Sequence, residues 1–227
     1  MSCPGSEHMV DFQSRDTKRG LDDEDDDPAD AGDEHEHGDE HEHGDEHGDE
    51  HHDDHQHDHD HDHHAHDVDA LGVAIVTVSS TRTSEDNPAG DAIAAAVEGE
   101  GHEVTVREIV RDDYDGVQNA VDALVVRGDV GVVVTTGGTG VTPDDVTIEA
   151  VEPLFEKTLP GFGELFRQLS YDEIGTKVVG TRAAAGIADG VPVFCLPGSE
   201  NAATLGAEEI IVEEAPHLAG LATRDED

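Results

Sequence analysis

Between Thr135 and Asp145 the chain reads TTGGTGVTPDD: a buried apolar run ends, three glycines follow, and Thr142-Pro143 opens the next element. Glycines at the carboxyl end of a strand let backbone N–H groups come close to an anion, and a helix starting behind them adds a favourable dipole. Thr136, Gly137, Gly138, Thr139 and Gly140 are therefore a candidate phosphate or carboxylate cradle, with a plain turn as the alternative. The loop is not of the Walker type, because no GK[ST] follows, and it is not GxGxxG. Asp145 has two readings. With Thr142 it fits a capping box, a helix stabiliser worth about 1 kcal/mol; beside a phosphate cradle it is where Mg²⁺ would be held, since that ion takes one or two carboxylates plus phosphate oxygens. Asp112, just past the second predicted strand, is either a second acid facing the same crevice or a solvated carboxylate in the loop RDDYD. A second strand-to-helix loop, Leu196-Pro197-Gly198-Ser199, can present N–H groups in the same way. Arg182 and Lys157 are the cations best placed in sequence to meet phosphates, and surface ion pairing accounts for each equally well. Cys195 reads as a small core hydrophobe with no activating base nearby, and the sequence names no partner for His102 or His217.

The elements that must position these residues follow from periodicity. LGVAIVTVSS from Leu71 is a continuous apolar run, the mark of a strand buried on both faces. NPAGDAIAAAVEGEG then supplies Asn87 as N-cap, Pro88 at the first helical position, Ile93, Ala96 and Val97 on one face, and Gly99 and Gly101 as the stop. A second strand is predicted at 104–110, a helix through Val117, Val121, Leu124 and Val125, and a third strand at 130–136. Strands alternating with helices imply βαβ units and a mostly parallel sheet. Beyond these, the pattern predicts a helix around Val146 to Phe155, an amphipathic helix through GFGELFRQLSYDEI, two strands joined by a hairpin at Asp189-Gly190, and a helix from Ser199 to Val212 capped by Ser199. Pro192 suggests an edge or strand-start position, which makes the sheet mixed.

Charge divides the chain. Twelve Lys+Arg stand against 56 Asp+Glu, a formal net charge of -44, which repels any phosphate backbone and excludes general nucleic-acid binding. From Asp22 to Asp69 there are 24 Asp+Glu and 14 His with no Lys or Arg, and five apolar residues, so that stretch cannot build a core. The expected organisation is a disordered acidic and His-rich tail over 1–69, one folded domain over 70–222, and a short tail over 223–227. Met9 offers an alternative start. No run approaches the ~20 apolar residues of a membrane span, the N-terminus lacks the apolar region of a signal peptide, and two distant cysteines make no disulfide framework; a cytoplasmic protein is expected. An acid excess with only Lys157 and Lys177 in the folded part is the composition of a surface that stays hydrated in concentrated salt, so a halophilic source is expected. Within the tail, His41, His43, His51, His52, His57, His59, His61 and His63 are candidate ligands for Zn²⁺, Ni²⁺, Co²⁺ or Cu²⁺ in many interchangeable sets, and a solvating polyanion is the alternative.

Four ordered segments, TGGTG with PDDVT, PGFGELFRQLS, TRAAAGI and LPGS, resemble the MoaB/MogA family of molybdenum cofactor biosynthesis proteins, which includes the N-terminal domain of gephyrin, over about residues 70–222. The segment GFGELFRQLSYDEIGT leans towards the MoaB type, and the acid excess towards a member from a halophilic archaeon. The resemblance implies a three-layer α/β/α fold with a mostly parallel, mixed sheet. It further implies a molybdopterin adenylyltransferase, in which the molybdopterin phosphate attacks the α-phosphorus of Mg-ATP and releases pyrophosphate, serving molybdenum or tungsten enzymes. It carries the functional aspartates onto Asp112 and Asp145, the nucleotide-phosphate cradle onto Gly137 to Gly140, and substrate surroundings onto Gly161, Glu164, Ser170, Arg182 and the loop Pro197-Gly198-Ser199. A homotrimer or hexamer and a molybdenum-insertion protein of the MoeA type are the implied partners. The chain departs from the family pattern with Ser79-Ser80 after the first strand, Asp144-Asp145 before the helix, and Glu200 where many members have Lys. A CinA-like nucleotide hydrolase or deamidase is the alternative enzyme, suggested by TPDD and opposed by GFGELFRQLS; a molybdopterin-binding or metal-delivering protein is the non-catalytic alternative.

Overall fold

The computed structural model describes residues 68–223. The run from Leu71 forms strand β1 (Gly72–Val78), followed by helix α1 (Pro88–Gly99), β2 (Glu103–Val110), α2 (Tyr114–Val125) and β3 (Val132–Thr136). Then come a short helix α3 (Thr147–Val151), β4 (Lys157–Thr158), α4 (Pro160–Ile174), the hairpin strands β5 (Ala184–Ala188) and β6 (Val191–Leu196), α5 (Glu200–Gly206) and α6 (Val212–Ala222). The six strands form one sheet in the order β2-β1-β3-β6-β5-β4, parallel from β2 to β6 and antiparallel for β5 and β4. A mixed, mostly parallel three-layer fold is thus what the periodicity predicts and the chain adopts.

Continuous apolarity in β1 is explained by its two faces. Leu71, Val73 and Ile75 enter a core with α1, α4 and the C-terminal helices, whereas Ala74, Val76 and Val78 enter a second core with α2 and α3. The first core holds the stacked pair Phe162–Phe166, ring centroids 6.2 Å apart, and Phe194 edge-on to Phe162 at 5.2 Å. Chain direction then places the site. From β1 the chain passes through α1 on one face to β2, and from β2 through α2 on the other face to β3, so β1 sits between its two successors. The carboxyl ends of β1 and β3 flank the point where strand order reverses, and open α/β sheets bind ligands in the crevice there.

Four local differences from the sequence expectations have physical causes. No helix begins at Thr142-Pro143: Asp145 folds back on Thr142, and the Thr147 N–H and hydroxyl take the carbonyls of Gly138 (3.0 Å) and Gly137 (2.8 Å), so α3 starts only at Thr147. β4 is a two-residue exposed strand with no apolar pattern to betray it. Of the two positions expected for Pro192 the edge is not taken but the strand start is: it is the second residue of β6, which lies inside the sheet, and the ladder with β3 starts one residue later, at Val133 opposite Val193, so the missing N–H falls outside it. The helix capped by Ser199 does not stop at Val212 but runs on through a π-helical turn, Ala207–Ile211, into α6, with Pro216 inside it.

Candidate functional site

A cleft of about 350 Å³ opens at the β1/β3 reversal. Its walls are the end of β1 (Thr77, Val78, Ser79), the loop after it (Arg82, Asn87), Thr136 to Gly140, Asp145, Thr181, Pro197 and Gly198. Each wall is held by bonds that cross between loops. The Thr136 hydroxyl donates to the Pro197 carbonyl at 2.9 Å, which ties the glycine loop to the second strand-to-helix loop. Gly137 (φ 104°) would place a Cβ 2.3 Å from the Val78 carbonyl, and Gly138 (φ 65°) 2.3 Å from the Thr147 hydroxyl; only glycine fits either place. Buried Asn87 caps α1 by accepting from the Gly90 N–H (3.2 Å) and donates to the Thr77 hydroxyl at 2.8 Å, which joins the cleft floor to the helix start. No hydrogen bond among the described residues uses the N–H groups of Gly138 or Thr139.

The Asp145 Oδ2 accepts from the Thr142 N–H and hydroxyl, each at 2.7 Å. The sequence therefore names its partner correctly, but the result is a turn and not a helix cap. Burial alone would raise the Asp145 carboxyl; the Thr142 hydroxyl, the nearby backbone N–H groups and the Arg182 charge outweigh it and hold it below the usual carboxylate range. Asp112 is not part of the cleft wall. It stands past β2, where its Oδ2 accepts from the Ser80 N–H at 2.7 Å and so fixes the loop that follows β1.

Arg182 takes up the ion pairing that the sequence offers as its second reading, with Glu149, and adds contacts to the glycine loop that the sequence does not show. Its Nε donates to the Gly140 carbonyl at 2.7 Å and its Nη2 to the Asp145 carbonyl at 3.1 Å. Both terminal nitrogens pair with the Glu149 carboxylate, Nη2 at 3.3 Å, and its backbone N–H reaches the Thr139 carbonyl at 3.3 Å. Arg182 thus clamps the glycine loop from outside the cleft. The hydrogen bond and charge of Arg182 hold Glu149 below its ordinary pKa, and Glu149 in turn raises that of Arg182. Sequence reasoning missed Glu149, which carries no motif, and Arg82, which sits in a loop without one.

A second cleft of about 400 Å³ shares Thr181 and Pro197 with the first and is lined by Phe166, Ser170, Glu173, Ser199, Glu200 and Asn201, among others. Ser170 is buried there, and its hydroxyl makes no hydrogen bond to another described residue. Gly161 lies elsewhere, in an apolar cleft with Phe162, Leu165, Ile210 and Leu218, and Glu164 is exposed and lines none of these clefts. Lys157 is exposed on β4. Cys195 is fully buried, and burial pushes its thiol up to about 12, which fits a core residue and not a nucleophile. His102 has a partner: its Nδ1 accepts from the Leu71 N–H at 3.3 Å. Among the described residues there is no group of three or more His, Cys, Asp or Glu that could hold a metal, and no helix long and apolar enough to cross a membrane. The tail histidines His41, His43, His51, His52, His57, His59, His61 and His63 lie outside the described residues, as does the end of the chain from 224.

Residues 74–217 match the model of a family described as the probable molybdopterin binding domain. The chain is 42% identical over 151 residues to molybdenum cofactor biosynthesis protein B of Bacillus subtilis, covering 66% of this chain and 89% of that protein. It is similar to a crystal structure of molybdenum cofactor biosynthesis protein B, with 43% identity, a TM-score of 0.67, and coverage of 69% of this chain and 98% of that one. It is also similar to the tungsten cofactor synthesizing protein MoaB of Pyrococcus furiosus, at 39% identity and TM-score 0.62, covering 69% and 99% respectively.

Proposed function

Because the chain belongs to the family of probable molybdopterin binding domains and acts in molybdenum or tungsten cofactor biosynthesis, we propose that it is a molybdopterin adenylyltransferase, joining AMP from Mg-ATP to the molybdopterin phosphate. The observation that carries this reading is the cleft at the strand reversal, where the free N–H groups of Gly138 and Thr139 and the ionised Asp145 border one space. Backbone donors fixed before the ligand arrives stabilise phosphate charge without reorganisation. A volume of about 350 Å³ is in the range of small-molecule sites. The adjoining cleft, with the Phe166 wall and the unpartnered Ser170 hydroxyl, takes the acceptor, so that its phosphate meets the nucleotide at the shared residues Thr181 and Pro197.

In the reaction a phosphate oxygen of molybdopterin forms a bond to the α-phosphorus, the bond to the β-phosphate oxygen breaks, and its electron pair leaves with pyrophosphate. Such transfers need positioning and charge neutralisation more than a covalent nucleophile. The donor set fits Mg²⁺ brought in with the nucleotide: a single hard carboxylate, Asp145, borders the cleft, and Mg²⁺ uses one or two carboxylates plus phosphate oxygens. Bound there, the ion neutralises the developing phosphate charge. This chain's own part is to keep Asp145 deprotonated and aimed, through Thr142, and to hold Gly138 and Thr139 in their conformation, through Thr147 and Arg182.

The test is incubation of the purified protein with molybdopterin, ATP and Mg²⁺ in high salt, following adenylylated molybdopterin and pyrophosphate. Product that vanishes in Asp145→Ala supports the transferase. Tight molybdopterin binding without product makes the protein a carrier.

A further inference from the structure

We propose that Arg82 is the cation that grips the nucleotide phosphates, carried on a loop that Asp112 holds in place; the proposal rests on the reading above and adds the residue that supplies positive charge. A chain with formal net charge -44 repels a polyphosphate, so binding one demands a local cation. Among the residues that line the switch-point cleft, Arg82 is the one Lys or Arg. The other nearby guanidinium, Arg182, is spent on two loop carbonyls and Glu149.

Arg82 is held firmly at its backbone and only weakly at its tip. The Ser79 N–H donates to the Val110 carbonyl at 2.8 Å, and the Ser79 hydroxyl accepts from the N–H groups of Thr81 (3.2 Å) and Arg82 (3.1 Å). Ser80, inside this turn, gives its N–H to the Asp112 carboxylate at 2.7 Å. The guanidinium has a single weak partner, Asp86, at 3.5 Å, and the Asp86 side chain is 77% exposed. A long, exposed pair of this kind is weak, whereas a bidentate Arg–phosphate contact is roughly twice as strong as a neutral hydrogen bond, so the exchange of Asp86 for phosphate is favourable. Gly138 and Thr139, whose N–H groups make no hydrogen bond to another described residue, line the same cleft, so an anion there has backbone donors as well as the guanidinium to meet.

The test uses the full chain and its Arg82→Gln and Arg82→Lys variants, with calorimetric binding of Mg-ATP, Mg-pyrophosphate, adenosine and molybdopterin, and a melting curve for each protein. Arg82→Gln is expected to weaken Mg-ATP and Mg-pyrophosphate by roughly tenfold or more, with Arg82→Lys in between. Adenosine binding, molybdopterin binding and the melting temperature should stay unchanged. Wild-type affinity for both phosphate ligands in Arg82→Gln overturns the proposal and leaves the transferase reading intact. Loss confined to molybdopterin also overturns it, because the phosphate held would then be the acceptor's. Failure of the wild-type protein to bind Mg-ATP and Mg-pyrophosphate overturns the transferase reading and the role of Arg82 together.

Discussion

Asp145 shows how one carboxylate can be fixed and still be available. Its Oδ2 is occupied by Thr142, and that contact, not the low-dielectric surroundings, sets its charge. Asp145→Asn keeps an oxygen for the Thr142 N–H but removes the charge that phosphate chemistry needs. Adenylylation is expected to fall by at least about 100-fold, with stability changed by no more than about 1 kcal/mol, as read from turnover and thermal melts. A folded-state pKa below the ordinary value of about 4 means that the stabilising effect of Asp145 is complete above that pH and is lost as pH falls through the lower folded value. Acid unfolding curves of wild type and Asp145→Asn should therefore differ at neutral pH and converge at the acid end. Asp112 calls for a different comparison, because its carboxylate serves the Ser80 N–H. Asp112→Asn keeps an acceptor and is expected to recover part of what Asp112→Ala loses, visible as a lower KM for ATP. Of these roles the sequence shows the Thr142–Asp145 partnership, three residues apart. It hides the Arg182 clamp, whose partner carbonyls lie 42 and 37 residues away.

At the scale of elements, legibility followed the range of the forces involved. α1 was readable because its start signal, Asn87-Pro88, and its apolar face are local, and the structure confirms both cap and buried face. β1 and β3 were readable because burial on both faces leaves unbroken apolar runs, and β2, exposed to half-buried, by its alternation. The helix pattern around Val146 places α3 to within a residue, whereas the start signal at Thr142-Pro143 misleads, since Thr147 is fixed as first residue by the carbonyls of Gly137 and Gly138 and not by any cap of its own. β4 exists only because β5 offers it an edge, an interaction that no two-residue segment can announce. The same cap at Asn87 gives a prediction for the element that closes the cleft. Asn87→Ala removes an N-cap worth about 1 kcal/mol and strands the buried Thr77 hydroxyl, a further 1–3 kcal/mol. A loss of roughly 2–4 kcal/mol in denaturant melts is expected, against a few tenths for Asn201→Ala on the exposed start of α5.

Charge acts on the molecule as a whole. Residues 70–227 carry 9 Lys+Arg against 29 Asp+Glu, so this part of the chain repels itself even with residues 22–69 and their 24 acids left out of account. Four arginine–carboxylate ion pairs stand among the described residues, one of them the Glu149–Arg182 clamp, which is too few to offset that excess. Added salt shortens the screening length from about 10 Å at 0.1 M to about 3 Å at 1 M, so repulsion between unpaired surface acids fades while the apolar cores on either side of the sheet are unaffected. The loss of repulsion favours the folded state as salt rises. Melting temperature is expected to climb with KCl through the molar range, in the full chain and in a variant lacking residues 22–69 alike, because the excess in the folded region is present in both. The same deletion is expected to abolish retention on a nickel column at pH 7.5, since 14 of the 17 histidines go with it, and to leave the nucleotide site in place. Maximal stability at low salt in the deleted variant would show that the acid excess of the domain is already balanced within the fold, and would remove high salt as the condition this surface is made for.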